Sequence, residues 1–159
     1  MFNKIYILFV IIIIKSMIYG QCFDYELAAS DFPFNHLADL SADDDVGVNW
    51  GLENIGGAGG NDFSYKITLL EPALVYITTC DSDTDVDVEI GIYNICDPTD
   101  WLLYQDDSNS QIFYPDGTSE TYEFECISGF ETNPYYANML PLLQWEPGTY
   151  YVVVGDRGY

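Results

Sequence analysis

The feature that most constrains the fold is an apolar run near the end of the chain. Residues 147–154 read Pro-Gly-Thr-Tyr-Tyr-Val-Val-Val. A Pro-Gly pair favours a tight turn, and aromatic and β-branched side chains favour extended backbone. The run therefore predicts a strand that is entered through a turn and buried against a second layer.

A second segment predicts a strand with one buried face. Valine and isoleucine occupy alternate positions from Val86 to Ile92, while the other face carries Asp85, Asp87, Glu89 and Tyr93. This period of two is typical of a half-buried strand. The segment 62–69 alternates in the same way and predicts inward side chains at Phe63, Tyr65, Ile67 and Leu69.

Short strands separated by turns recur along the rest of the chain, with little helical periodicity. Spacing of this kind predicts an all-β fold, namely an antiparallel β-sandwich or jelly roll with one domain and no internal repeat. The predicted strands are Asp31–Asn35, Phe63–Leu69, Leu74–Thr79, Val86–Tyr93, Trp101–Tyr104, Glu120–Cys126, Met139–Trp145 and Thr149–Val154.

The N-terminus predicts export. Lys4 precedes the apolar segment Ile5–Ile14, and Gly20 offers a small residue for cleavage, so we interpret residues 1–20 as a secretory signal and 21–159 as the mature domain. A membrane anchor is the alternative, but the segment is shorter than the ~20 residues that span a bilayer, and Lys15 follows it. A lipoprotein signal at Cys22 is a third reading, with a poor lipobox. We expect a secreted or cell-surface protein that transits the periplasm.

The order of these segments resembles the bacterial pre-peptidase C-terminal domain, a secreted accessory β-sandwich found beside peptidases and in surface proteins. The segment 109–139 is longer than in that family, and the chain stops at Tyr159, where the family continues into one more strand. The resemblance therefore implies a missing last strand and an unpaired sheet edge beside Thr149–Val154. The matching segments are Asp62–Tyr65, Glu71–Pro72, Thr79–Cys80, Ile90–Tyr93, Gln105–Asp107 and Pro147–Val154.

Four cysteines, Cys22, Cys80, Cys96 and Cys126, lie in the exported part and predict two disulfides. Three connectivities are possible. The hairpin arrangement of the flanking strands and the family resemblance both favour Cys80 with Cys96, which leaves Cys22 with Cys126. A metal site is the other use of cysteine, but no Cys-x-x-Cys spacing occurs and only His36 could join.

The charge is strongly acidic. The chain has 26 Asp and Glu against 4 Lys and Arg; removal of Lys4 and Lys15 leaves 2 minus 26, a net charge of −24. Such a surface repels phosphate backbones and anionic lipids, so neither nucleic acid nor a membrane is an expected partner of the mature chain.

Calcium is the expected cofactor, if there is one. Carboxylates cluster before one predicted strand and after the next, and calcium prefers such hard oxygen ligands. The EF-hand motif is rejected, because Val86 and Ile92 stand where it needs glycine and glutamate. A solvated acidic face is the alternative interpretation. The carboxylates concerned are Asp81, Asp83, Asp85, Asp106 and Asp107.

Catalysis is not expected. His36 is the single histidine, no Gly-x-Ser-x-Gly occurs, and a zinc-protease helix needs two histidines. We expect a non-catalytic domain that binds an extracellular polysaccharide or protein beside a secreted enzyme or surface protein. The alternative is a structural or export-assisting segment of a larger secreted peptidase, removed on maturation. The aromatic residues proposed as polymer contacts are Trp101, Tyr104, Tyr114, Tyr135 and Tyr136.

Overall fold

The computed structural model describes residues 22–36, 50, 62–79, 88–106, 111–122 and 139–156, and these ranges are rich in strands. The all-β prediction is confirmed, and the described ranges hold no α-helix. The predicted signal segment, residues 1–20, lies outside them. The elements are β1 (Tyr25–Leu27), a 3-10 turn (Ala29–Asp31), β2 (Asp62–Leu69), β3 (Ala73–Thr78), β4 (Val88–Tyr93), β5 (Trp101–Asp106), β6 (Gln111–Phe113), β7 (Ser119–Thr121), β8 (Met139–Trp145) and β9 (Gly148–Asp156).

The larger sheet has seven strands in the order β1-β2-β9-β4-β5-β6-β7. The apolar strand β9 lies inside it, paired antiparallel with β2 on one side and with β4 on the other. The predicted unpaired edge beside Thr149–Val154 is therefore wrong. The alternate residues of β9 pack into two clusters, Val152 in the main core and Val153 beside Trp50 and Tyr93, and burial of both faces explains the continuous apolar run.

One edge of the larger sheet departs from the antiparallel prediction. β1 runs parallel to β2, with Tyr25 opposite Tyr65 and Leu27 opposite Ile67. The strand predicted at 31–35 is also wrong. The Asp31 carboxylate accepts a hydrogen bond from the Ala28 N–H at 2.7 Å, and this local bond favours a 3-10 turn over extended pairing.

The smaller sheet contains only β3 and β8 within the described residues, with a register shift between Val75 and Ile77. Side chains from both sheets meet in one apolar core. The core joins Leu27, Ile67, Leu69, Ile90, Ile92, Leu103, Ile112, Trp145 and Val152, and Ala73, Val75, Ile77 and Leu143 from the smaller sheet pack against it.

The opposite face of the larger sheet is also covered. Trp50, Tyr93 and Val153 are fully buried there, with Tyr151 and Trp101 packed around them. Strand β4 is consequently buried on both faces. The prediction of a half-buried strand with Glu89 and Tyr93 outward is wrong, because both side chains are buried.

The disulfide pairing also differs from the prediction. Cys22 bonds to Cys96, with Cα atoms 5.8 Å apart. The predicted pairs, Cys80 with Cys96 and Cys22 with Cys126, are therefore wrong. The prediction assumed that β3 and β4 form a hairpin, but they belong to different sheets. Cys80 and Cys126 themselves lie outside the described residues.

The hairpin of β6 and β7 closes through a turn that needs glycine. Gly117 has a φ of 82°, a left-handed conformation that costs other residues energy. The Asp116 carboxylate accepts hydrogen bonds from the Thr118 N–H at 2.9 Å and the Thr118 hydroxyl at 2.6 Å. These bonds fix the turn and place a short, charged strand at the edge of the larger sheet.

Candidate functional site

An aromatic cluster around His36 is the most distinctive surface feature of the described residues. We define the His36 cluster as Tyr25, Phe34, His36, Phe63 and Tyr65. Parallel pairing of β1 with β2 puts Tyr25 opposite Tyr65, and their rings stack with centroids 5.5 Å apart and planes 18° from parallel. The turn at Ala29–Asp31 then returns the chain toward β2.

His36 stands in the middle of these rings. Its imidazole centroid lies 4.6 Å from that of Tyr25, 5.8 Å from Phe63 and 5.8 Å from Tyr65, with edge-to-face geometry in each case. The His36 Nδ1 atom and the Tyr65 hydroxyl share a hydrogen bond of 2.7 Å. Edge-to-face contacts of this kind stabilise aromatic pairs beyond the area that they bury.

One side of the His36 cluster packs against the protein, and the other side is exposed to solvent. Tyr65 packs against the main core. Tyr25 and Phe34 each keep 37% of their surface exposed, and His36 is exposed as well. Phe32, two residues before Phe34, adds another exposed ring. The result is a supported aromatic surface, in which the exposed rings of Tyr25 and Phe34 pack against the half-buried rings of Phe63 and Tyr65.

The electrostatics of the cluster favour neutral groups. Burial, followed by the nearby Tyr25 and Asp24, raises the pKa of Tyr65 well above its ordinary value of 10.0, so the phenol stays protonated. One oxygen of the Asp24 carboxylate, Oδ2, accepts hydrogen bonds from the N–H and hydroxyl of Ser64, at 2.7 and 2.9 Å. Lys66, the single Lys or Arg in the described ranges, pairs with Glu26 at 2.6 Å. No Lys or Arg of the described ranges is therefore left unpaired for an anionic ligand.

The aromatic contacts predicted from the sequence lie elsewhere. The prediction that Tyr104 is a surface contact is wrong, because its side chain is only 2% exposed. Its neighbours on the adjacent strands of the larger sheet bury it. Trp101 is half-buried and packs beside Trp50, while Tyr114 is half-buried against the main core. Tyr135 and Tyr136 lie outside the described residues.

The predicted calcium ligands can be placed only in part. Asp81, Asp83, Asp85 and Asp107 lie outside the described residues, and Asp106 ends β5. Asp106 pairs with Glu89, so the start of β4 adjoins the end of β5, as the calcium prediction assumed. Asp62 and Glu89, both buried, pair with Gly155 from opposite sides. Among the side chains that the structure describes, no group of three or more His, Cys, Asp or Glu could hold a metal ion.

Sequence reasoning missed the His36 cluster for an identifiable reason. It interpreted Asp31–Asn35 as a strand and considered His36 as the single histidine available to a metal or catalytic site. A usable signal was present in the alternation of Phe32, Phe34 and His36, which puts rings at every second position. What the sequence did not indicate was the short parallel strand β1 that brings Tyr25 to the same place.

Comparison with known proteins gives no relative: no family model, no curated protein and no solved structure matches this chain. The resemblance to the pre-peptidase C-terminal domain thus rests on the order of the sequence segments alone. Within the described ranges, no helix is long and apolar enough to cross a membrane.

Proposed function

We propose that this chain is a secreted, non-catalytic accessory domain of the β-sandwich type that binds an extracellular polymer through the His36 cluster. The observation that carries the proposal is the supported aromatic surface itself. Flat ring faces stack on sugar rings and on peptide backbones, and they lose little conformational entropy on binding. Tyr25 and Phe34 are the exposed rings; Tyr65 contacts both of them and Phe63 contacts Tyr25.

The acidic charge of the chain disfavours anionic polymers as ligands. The chain has a net charge of −22, and the one described lysine is already paired with Glu26. Polymers that carry phosphate, sulfate or uronate groups would be repelled by this surface. A neutral polysaccharide is the favoured ligand, and a protein fibre is the second.

A depletion assay on insoluble polymers tests the proposal. Cellulose and chitin serve as neutral polysaccharides, cross-linked carboxymethyl cellulose as an anionic one and collagen as a protein fibre. Tyr25→Ala and Phe34→Ala are compared with Ile95→Ala, which removes an exposed apolar side chain that is not part of the cluster. We expect binding to a neutral polymer that falls about tenfold in each cluster variant, corresponding to ~1.4 kcal/mol, and remains unchanged in the control.

The outcomes separate the parts of the proposal. If the chain binds only collagen, and the cluster variants weaken that binding, the His36 cluster is the binding site but the ligand is a protein fibre. If Tyr25→Ala and Phe34→Ala bind as tightly as the original chain, the His36 cluster is not the binding site. Failure to bind any of these polymers would defeat the proposed function.

A further inference from the structure

The smaller sheet has apolar side chains on both of its faces. Ala73, Val75 and Ile77 of β3 point into the core. The alternate residues Leu74 and Tyr76 remain 63% and 50% exposed, and Leu142 of β8 remains 59% exposed. Strands that read as continuous apolar runs are typical of sheets covered on both faces. Here the described residues cover only the inner face.

The edge of β3 is unusual among the four edge strands of the described sheets. Exposed sheet edges in natural proteins are short, charged, interrupted by proline or bulged, because an open edge pairs with other chains. β1 and β7 are three residues long and carry Glu26 and Glu120. β8 contains Pro141. Residues 73–77 of β3, with the sequence Ala-Leu-Val-Tyr-Ile, are five in number and include no charge and no proline.

Charge around this sheet indicates what kind of partner would fit. Ala73 pairs with Trp145, so the exposed Glu71 and Glu146 flank the same end of the smaller sheet. A second copy would bring a net charge of −22 against another of the same sign. A partner with basic residues beside an apolar strand would instead be attracted.

We propose that residues 73–77 of β3 form a docking edge for an extended segment of another polypeptide, apolar at alternate positions and flanked by lysine or arginine. The segment adds to the smaller sheet as a third strand. Backbone hydrogen bonds along β3 provide the affinity, as in other cases of strand addition. The outer-face side chains Leu74 and Tyr76 of β3 contact the apolar positions of the segment, and Glu71 and Glu146 attract its basic end. This inference does not depend on the His36 cluster.

The test uses a labelled synthetic peptide of alternating valine and threonine with a pair of lysines at each end. Fluorescence anisotropy measures its binding to the full chain, and amide hydrogen exchange maps the site. We expect saturable binding and slower exchange of β3 amides. Replacing the peptide lysines with glutamate should weaken binding about tenfold or more, since the attraction becomes repulsion. Replacing the central valine with proline should abolish it, because proline cannot join the ladder.

Variants of the chain provide the matched comparison. Tyr76→Lys and Leu74→Lys put a charge on the outer face of β3 and should weaken binding of the lysine-flanked peptide about tenfold. Ile95→Lys changes an exposed apolar side chain elsewhere and should leave it unchanged. Exchange mapping on the unaltered chain keeps the test decisive should a variant fail to fold.

Three results would overturn the proposal. The first is no binding of the lysine-flanked peptide, and the second is binding that leaves exchange in β3 unchanged. The third is a dimer of the chain in sedimentation that disappears in Tyr76→Lys, which would identify a second copy as the occupant.

Discussion

The indole ring of Trp50 packs against the phenol ring of Tyr93, with the ring centroids 4.5 Å apart. The backbone N–H of Trp50 also donates a hydrogen bond of 3.1 Å to the buried Asp62 carboxylate. These two contacts fix residue 50 on the face of the larger sheet that lies opposite the main core. They explain why Tyr93, which the sequence pattern placed outward, is buried.

Trp50→Ala should therefore destabilise the fold severely. Removing a fully buried indole leaves a cavity beside Tyr93, and changes of this kind cost about 3–5 kcal/mol. Chemical denaturation measures the loss. Ile95→Ala, at an exposed position, should change stability by no more than about 0.5 kcal/mol. Equal effects of the two changes would show that Trp50 does not anchor this face.

The disulfide makes a prediction about peptide mapping. A digest without reducing agent should contain one peptide that holds both Cys22 and Cys96. A peptide linking Cys80 with Cys96 would contradict the observed pairing. The bond closes a loop with a sequence separation of 74, which the chain-entropy model values at about 4.5 kcal/mol. The double variant Cys22→Ala/Cys96→Ala should accordingly melt at a much lower temperature.

Tyr65→Phe tests the hydrogen bond inside the His36 cluster. Loss of the bond to His36 should cost about 0.5–1.5 kcal/mol at neutral pH, measured by chemical denaturation. Tyr76→Phe is the matched control, since Tyr76 lies on an exposed strand face. A loss as large in the control would mean that the bond to His36 contributes nothing specific.

The stability of the fold at alkaline pH should depend on the Tyr65 hydroxyl. The pKa of Tyr65 is raised in the folded state, mainly by burial, so folding keeps a proton that the unfolded chain begins to lose near its ordinary value of 10.0. The stabilisation is fully present below that pH and is lost as the pH rises above it. Between about pH 10 and 12 the original chain should lose stability faster than Tyr65→Phe, by up to ~1.4 kcal/mol per pH unit. Parallel pH profiles would exclude a contribution from Tyr65.

Calcium binding stays a prediction from the sequence. A weak extracellular site would have a dissociation constant of about 10⁻⁴ to 10⁻³ M, and calcium at ten times that value should add about 1.4 kcal/mol of stability. The measurement is the melting temperature in calcium against magnesium at matched ionic strength, because general screening of the acidic surface also stabilises. Equal effects of the two ions, or no loss in Asp83→Asn and Asp107→Asn, would reject the site.

The strands were predictable where local pattern and burial agree. Phe63–Leu69, Met139–Trp145 and Thr149–Val154 were predicted, and β2, β8 and β9 contain them. Their β-branched and aromatic residues favour extended backbone in any context. The length and apolarity of β9 also predicted burial against a second layer. The pairing partners of each strand were less predictable, because pairing joins segments that are distant in the sequence. The resemblance to the pre-peptidase C-terminal domain implied an open edge beside β9, which has a paired strand on each side.

The parts of the candidate site that were missed depend on contacts between distant segments. β1 has only three residues and its pairing with β2 joins residues 40 positions apart, so local periodicity carries no signal for it. The alternation of Phe32, Phe34 and His36 resembles that of a strand, but the hydrogen bond to the Asp31 side chain forms a local turn before it. The rings of Phe34 and His36 then contact each other in the His36 cluster. The pairing of Cys22 with Cys96 was missed for the same reason.

An NMR titration of the chain with a soluble neutral oligosaccharide, a cello- or chito-oligosaccharide, tests the central claim most directly. The account predicts saturable shifts of ring protons confined to Tyr25, Phe34, His36 and Tyr65, and their loss in Tyr25→Ala/Phe34→Ala while Ile95→Ala behaves as the original chain. Shifts centred on residues outside the His36 cluster, or none up to saturating oligosaccharide, would contradict it.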